Sequence, residues 1–200
     1  MKVMAFNGSP RKGGNTQTLL EAVLKGAASK GAETRLVNLR ELNVKGCMGC
    51  DACKNELGKC FQKDDLSPLL QEMKDCDAIV LGTPVYWFHV ASQFKALVDR
   101  FYCFYGWEPV PDTGELKETM AFPEGKKFVI VTSRGDQENT KAFPRLYEHL
   151  SEWLGVIAVA MQSSSTQFVN HYGSMNQKDS ASDDSDLMAR AESLGASLAP

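Results

Sequence analysis

No stretch of this 200-residue chain approaches the ~20 consecutive apolar residues that a membrane-spanning helix needs, and no basic segment precedes an apolar one near its start. The expectation is a soluble, cytoplasmic protein. Excess charge is also missing. The net charge is −3 with no basic block, which argues against nucleic acid or an anionic membrane as a partner. The three histidines, His89, His149 and His171, have no ligand spacing with one another. Two signatures are absent as well. Gly8 and Gly13 have the separation of G-x-x-x-x-G-K-[ST], but Gly14 and Asn15 follow where a lysine and a hydroxyl belong. No triplet of glycines fits G-x-G-x-x-G. No internal repeat or second domain is visible, and residues 1–200 suit one α/β domain whose 43% hydrophobic content is enough for a full core. Cysteine, by contrast, is plentiful. Six in a cytoplasmic chain are expected to be reduced, metal-bound or reactive rather than disulfide-paired.

What is present centres on residues 2–20, KVMAFNGSPRKGGNTQTLL. Val3 to Phe6 reads as a buried strand. It breaks into Asn7-Gly8-Ser9-Pro10 and the pair Gly13-Gly14. Asn15 is a suitable N-cap, and a helix follows with Leu19, Leu20, Val23 and Leu24 on its apolar side. A strand–loop–helix of this kind aims backbone N–H groups and the positive end of the helix dipole at an anion. Ser9, Asn15 and Thr16 add neutral donors, and Arg11 adds a forked cation suited to phosphate. The chemistry suits a terminal monophosphate; an ordinary βα turn with no ligand is the competing interpretation. GSPRKGGNT after a first strand resembles the FMN phosphate loop of the flavodoxin-like NAD(P)H-dependent FMN reductase superfamily. Within it, the later cysteine run most resembles the iron–sulfur flavoproteins. The similarity runs from about Lys2 to about Gly155 and is weaker beyond.

Further along, Gly31 is a plausible C-cap, and residues 34–39 read as the second strand. An irregular, cysteine-rich stretch covers residues 43–65, longer than a compact domain tolerates without a job or an internal tie. Ser67-Pro68 reads as an N-cap with proline at N1, opening a helix to about residue 75. Residues 78–82, AIVLG, form a central parallel strand leading into Thr83, Pro84, Val85, Tyr86, Trp87, Phe88 and His89. A helix over 91–102 follows, then a surface excursion over 105–126. The fourth strand is 127–132, ending at Ser133-Arg134-Gly135. The pattern then predicts a helix over 139–154, with Pro144 in its first turn or at a kink, a fifth strand over 156–161, a polar loop over 163–186 and a docking helix over 186–198. Alternating strands and helices imply a doubly wound parallel sheet in a three-layer sandwich. Five strands fit the flavodoxin-like order 2-1-3-4-5, whose ligands bind beyond the C-terminal strand ends. That rule gathers the Ser9, Pro84 and Ser133 loops at one edge.

By resemblance, residues 83–88 form the isoalloxazine loop, with Pro84, Val85, Tyr86, Trp87 and Phe88 against the ring. The aromatics fit equally a core or a dimer contact. Ser133 and Gly135 resemble a third flavin contact. Arg134 reads as a solvated charge, and His89 as a packing or capping residue, with a substrate contact as the alternative. No protein acid or base is required, because the cofactor carries the chemistry. Cys47, Cys50, Cys53 and Cys60 spell C-x2-C-x2-C-x6-C. This departs at its last gap from the ferredoxin run that ends C-x3-C-P. It falls within the motif of the iron–sulfur flavoproteins, so the resemblance implies these four as ligands of a [4Fe–4S] cluster. Structural zinc and free thiols remain open. Cys76 and Cys103 read as buried apolar residues.

Two functions follow from the resemblance. One is an FMN-dependent oxidoreductase passing electrons from NAD(P)H or a reduced carrier to a quinone, flavin or dioxygen-class acceptor. The other is a non-enzymatic carrier between ferredoxin-type partners. A zinc-stapled structural or regulatory protein is a third. The family favours a homodimer or a pair of dimers.

Overall fold

Five parallel strands lie in the order β2-β1-β3-β7-β8. This computed structural model describes residues 1–141, 145–175 and 177–199. The strands are β1 (Lys2–Asn7), β2 (Glu33–Asn38), β3 (Ala78–Tyr86), β7 (Lys127–Ser133) and β8 (Ser165–His171). Counting parallel strands in chain order, this is the expected 2-1-3-4-5. A two-residue strand, β4 (His89–Val90), turns back antiparallel on the end of β3. The helices are α1 (Asn15–Ser29), α2 (Leu66–Glu72), α3 (Ser92–Arg100), α4 (Leu146–Ala160) and α5 (Ser185–Leu198).

The central strands are apolar throughout because both faces are covered. Val3 and Ala5 of β1 join Val80, Val129, Val131 and Val169 beneath α1 and α5. Their neighbours Met4 and Phe6 join Ile79, Leu81, Phe128 and Ile130 beneath α2, α3 and α4. The period-2 alternation of side chains thus feeds two cores from one run of sequence. The helices α1 and α5 touch so closely that a Cβ on Gly26 would lie 1.9 Å from the Glu192 carbonyl oxygen, and one on Gly195 would lie 1.8 Å from that of Val23.

Four sequence expectations are corrected. Residues 156–161 are not the fifth strand; most of them form the last turns of α4. Leu150, Leu154, Ile157 and Ala158 are buried at helical spacing, while Val156 and Val159 stand 61% and 72% exposed. A short apolar run does not itself distinguish helix from strand. The true fifth strand, STQFVNH, hides in the segment expected to be polar loop. Among the described residues it pairs only with β7, as an edge strand, so only part of it need be apolar. Helix α4 begins at Leu146 rather than 139, and Pro144 lies outside the described residues. Finally, Ser67 is not an N-cap. Helix α2 starts at Leu66, and the Ser67 N–H is itself capped by Asp64 Oδ1 at 3.2 Å. The 105–126 excursion contains an antiparallel hairpin, β5 (Tyr105–Pro109) with β6 (Leu116–Met120).

Candidate functional site

The loop between β1 and α1 is tied at both ends. Gly8 N–H donates to the Gly82 carbonyl of β3 at 2.8 Å. A Cβ on Gly8 would meet Phe94 Cβ at 2.6 Å, so only glycine lets the loop lie this close to α3. Asn7 shapes the exit from β1. Its Oδ1 accepts from Ser9 N–H at 3.0 Å, and its Nδ2 donates to Asn38 Oδ1 at 3.0 Å. Ser9 Oγ accepts from Arg11 N–H at 3.2 Å, and Gln17 Oε1 accepts from Gly13 N–H at 3.0 Å. Of the first-turn N–H groups of α1, which have no intrahelical acceptors, that of Asn15 donates to the Lys178 carbonyl at 3.0 Å.

Asn15 does not cap the helix with its side chain; Gly14 occupies the cap position. Instead its Nδ2 donates to the Gln177 carbonyl at 3.2 Å and its Oδ1 accepts from Ala181 N–H at 2.8 Å. Asn15 thus fastens residues 177–181 to the start of α1. Thr16 points the other way, its hydroxyl 2.8 Å from that of Ser133 in a buried pair. This bond ties the first loop to the end of β7.

Ser9, Arg11, Asn15, Thr16, Pro84, Val85, Tyr86, Ser133 and Gly135 all line one cavity of about 200 Å³. Three loops far apart in sequence therefore converge on one edge of the sheet. Of the aromatic run, only Tyr86 is part of this wall. Trp87 is 91% exposed, and Trp87 and Phe88 adopt φ of 46° and 67°, the left-handed region that bulky side chains disfavour. Arg11 lies beside the Tyr86 ring, its Cζ 5.7 Å from the centroid. The cavity also includes Gly14, Arg134, Ser174, Met175 and Lys178, which sequence reasoning missed. Ser174, Met175 and Lys178 carry no local motif; they arrive because Asn15 holds their segment down. A Cβ on Gly135 would meet Met175 Sδ at 3.1 Å, which makes this wall tight.

Arg134 is not a solvated charge. It is 8% exposed. Its guanidinium carbon lies 3.5 Å from the Tyr147 ring centroid and 4.5 Å from that of Tyr172. Nη2 donates to the carbonyls of Gln137 and Glu138 at 3.2 and 2.9 Å. Arg134 also borders a second, larger cavity of about 640 Å³. His89 packs against Trp153 with ring centroids 4.9 Å apart. His171 is buried, and burial pushes its pKa down; Nε2 lies 3.3 Å from Ser180 Oγ.

Cys47, Cys50, Cys53 and Cys60 border one narrow pocket of about 20 Å³ together with Arg100, Tyr102 and Cys103. Among the described residues no three His, Cys, Asp or Glu side chains are gathered as a metal-ion site. The donor set suits a thiophilic metal centre, with four sulfurs on one pocket, but they are not closed around an ion. Arg100 organises this loop. Its Nε donates to Cys60 Sγ at 3.1 Å, Nη1 to the Lys45 carbonyl at 2.9 Å and Asp64 Oδ2 at 2.6 Å, and Nη2 to Ser67 Oγ at 2.9 Å. Burial alone would raise the Asp64 carboxyl. The Arg100, Lys45 and Ser67 donors overcome that and hold it at about 2. Cys76 and Cys103 are buried, and burial pushes the Cys103 thiol up to about 12.

The family model described as NADPH-dependent FMN reductase matches residues 1–170. An iron-sulfur flavoprotein of Methanocaldococcus jannaschii is 44% identical over 100 residues, 50% of this chain and 51% of that protein. A Bacillus subtilis protein named as an NAD(P)H-dependent FMN-containing oxidoreductase is 24% identical over 161 residues, 78% of this chain and 80% of its own. The chain spans about half the length of the iron-sulfur flavoproteins it matches. Among solved structures, an NAD(P)H:quinone oxidoreductase from Methanothermobacter marburgensis superposes with TM-score 0.74 at 18% identity, covering 99% of this chain and 96% of that one. An FMN-dependent NADH-azoreductase from Bacillus anthracis, solved with FMN, gives TM-score 0.72 at 14% identity over 100% of both chains. At these identities the structural likeness shows the fold.

Proposed function

Because the chain belongs to the NADPH-dependent FMN reductase family, we propose that it binds FMN at the C-terminal edge of its parallel sheet. There it passes electrons from a nicotinamide nucleotide or a reduced carrier to a small acceptor of the quinone, flavin or dioxygen class. The observation that carries this reading is the single cavity shared by three loops and locked by the Thr16–Ser133 bond. Bound FMN supplies hydride and single-electron chemistry that no side chain here can provide.

The protein's part is to hold and shield. The α1 N-terminus, Ser9 and Thr16 offer neutral donors to the phosphate. Arg11 adds a charge-assisted bond worth about 1.5–3 kcal/mol. At about 200 Å³ the cavity accommodates the phosphate and the chain behind it, leaving the ring to lie outward against Pro84, Val85 and Tyr86. Ser133, beside Pro84 on the neighbouring strand, and Gly135 complete the wall. Trp87 and Phe88, which do not border the cavity, would cover the exposed edge of the ring.

A second reading is favoured by one observation, the four cysteines bordering a single pocket. Cys47, Cys50, Cys53 and Cys60 would hold a [4Fe–4S] cluster that supplies one-electron steps, making the protein an electron carrier. The experiment is an anaerobic preparation analysed for FMN, iron and acid-labile sulfide, then mixed with NADH, NADPH or reduced ferredoxin. Rapid flavin bleaching by a nicotinamide supports the reductase. Slow bleaching with fast reduction by ferredoxin supports the carrier. Replacing Cys53 by alanine should remove iron and leave FMN bound; iron retained in that variant sinks the cluster assignment. Protein that stays colourless with FMN sinks the main reading.

A further inference from the structure

Arg100 and Arg134 are both buried, and they differ in one respect. Arg100 is neutralised by Asp64 in an ion pair whose side chains are both fully buried. Arg134 takes part in no ion pair among the described residues. Two backbone carbonyls meet its Nη2, two tyrosine rings cover its faces, and its Nε is buried with no partner. The nearby carboxylate of Asp136 accepts the Tyr147 hydroxyl at 2.5 Å instead. A buried cation without a counter-charge is costly, and so is a buried N–H without an acceptor. The first cost is relieved by an anion arriving from outside.

The place for that anion is defined by the cavities. Arg134 is in the wall of the 200 Å³ flavin cavity and also of the 640 Å³ cavity beyond it. The larger cavity has two tyrosine rings, Tyr147 and Tyr172, and the small side chain of Ser151 in its wall. Lys141 and Arg134 balance the two carboxylates there, Glu138 and Glu148, and Arg134 is the cation that borders both cavities. A third cavity that also touches Tyr172 is bordered by Asp183, Asp184 and Asp186, and it repels anions.

We propose that the cavity bordered by Arg134, Tyr147, Tyr172 and Ser151 seats the diphosphate-bearing part of the nicotinamide electron donor, with Arg134 as its anion anchor. This rests on the flavin reading above. A nicotinamide ring that meets a flavin over the first cavity must send its two phosphates and adenosine elsewhere. The second cavity is adjoining and large, and the guanidinium in its wall is a cation suited to phosphate. The tyrosine faces offer stacking surface to the adenine.

The test is calorimetric titration with ADP-ribose, the donor without its nicotinamide, on protein with and without FMN, alongside steady-state kinetics with NADH and NADPH. ADP-ribose should bind the parent protein. Arg134→Met keeps the hydrophobic stem and removes the charge; Ser151→Glu places a carboxylate in the same cavity from an exposed position on α4. Each should weaken ADP-ribose at least tenfold and raise the nicotinamide KM by a similar factor, and Ser151→Glu, which does not border the flavin cavity, should change FMN affinity less than threefold. ADP-ribose that fails to bind the parent, or that binds both variants as tightly, overturns the proposal. So does an Arg134→Met variant that loses FMN, because the guanidinium then belongs to the flavin. Failure of FMN to bind at all would sink the flavin reading and leave the ADP-ribose result to be judged on its own.

Discussion

Two hydroxyls, those of Thr16 and Ser133, carry the link between the first and third loops of the candidate site, 2.8 Å apart and buried. Replacing Thr16 by valine keeps the shape and leaves the Ser133 hydroxyl without its partner. An unsatisfied buried hydroxyl costs about 1–3 kcal/mol. The expected outcome is a loss of that size in urea unfolding, together with weaker FMN binding by fluorescence titration. Unchanged stability would mean that the two loops are held by packing alone. Arg134 teaches a related lesson. Its position beside Ser133 and Gly135 in sequence says nothing of its burial, which depends on Tyr147 and Tyr172 coming from α4 and from the chain after β8.

Helices α1 and α5 pack through glycines, and this sets up a reversal of the usual propensity rule. Glycine to alanine in a helix normally gains about 1 kcal/mol. At Gly26 a Cβ would fall 1.9 Å from a backbone oxygen of α5, which no rotamer change relieves. Gly26→Ala should therefore destabilise by about 1–3 kcal/mol, the range for overpacking, as read by chemical denaturation. The cysteine-rich loop is held to α2 and α3 in another way, through the buried Asp64–Arg100 pair. Asp64→Asn should cost about 3–5 kcal/mol by leaving Arg100 unpaired. The pH dependence has a definite sign. The Asp64 carboxyl is held at about 2, below its ordinary range near 4. Its contribution is complete above pH 4 and is lost as pH falls from about 4 towards 2. The stability gap between parent and Asp64→Asn should therefore narrow across that window. A gap that stays constant would show that the carboxylate charge is not what holds the loop.

For the molecule as a whole, three loops from one sheet edge and the segment bearing Ser174, Met175 and Lys178 make the candidate site, so filling it should stabilise the entire sheet rather than one loop. At free FMN one hundred times its Kd the folded state gains about 2.7 kcal/mol. The expected outcome is one unfolding transition that moves up with FMN concentration. A shift confined to part of the melt would mean that the loops open independently of the sheet.

The sequence by itself marked the inner parallel strands β1, β3 and β7 and the glycine-bearing turn after β1, because both-face burial and glycine-bearing turns leave local marks there; the strand order was an expectation of the flavodoxin-like fold. It also marked the four cysteines by spacing alone. It did not separate the end of α4 from a strand, since VIAVA satisfies either period, and it hid β8, whose edge position demands little apolar character. Only the tertiary structure decided that Arg134 is buried without a counter-charge, that Trp87 stands outside the cavity, and that Ser174, Met175 and Lys178 close it. Those are facts about what meets a side chain from distant parts of the chain. Local periodicity reports which face is buried, but not who the neighbours are.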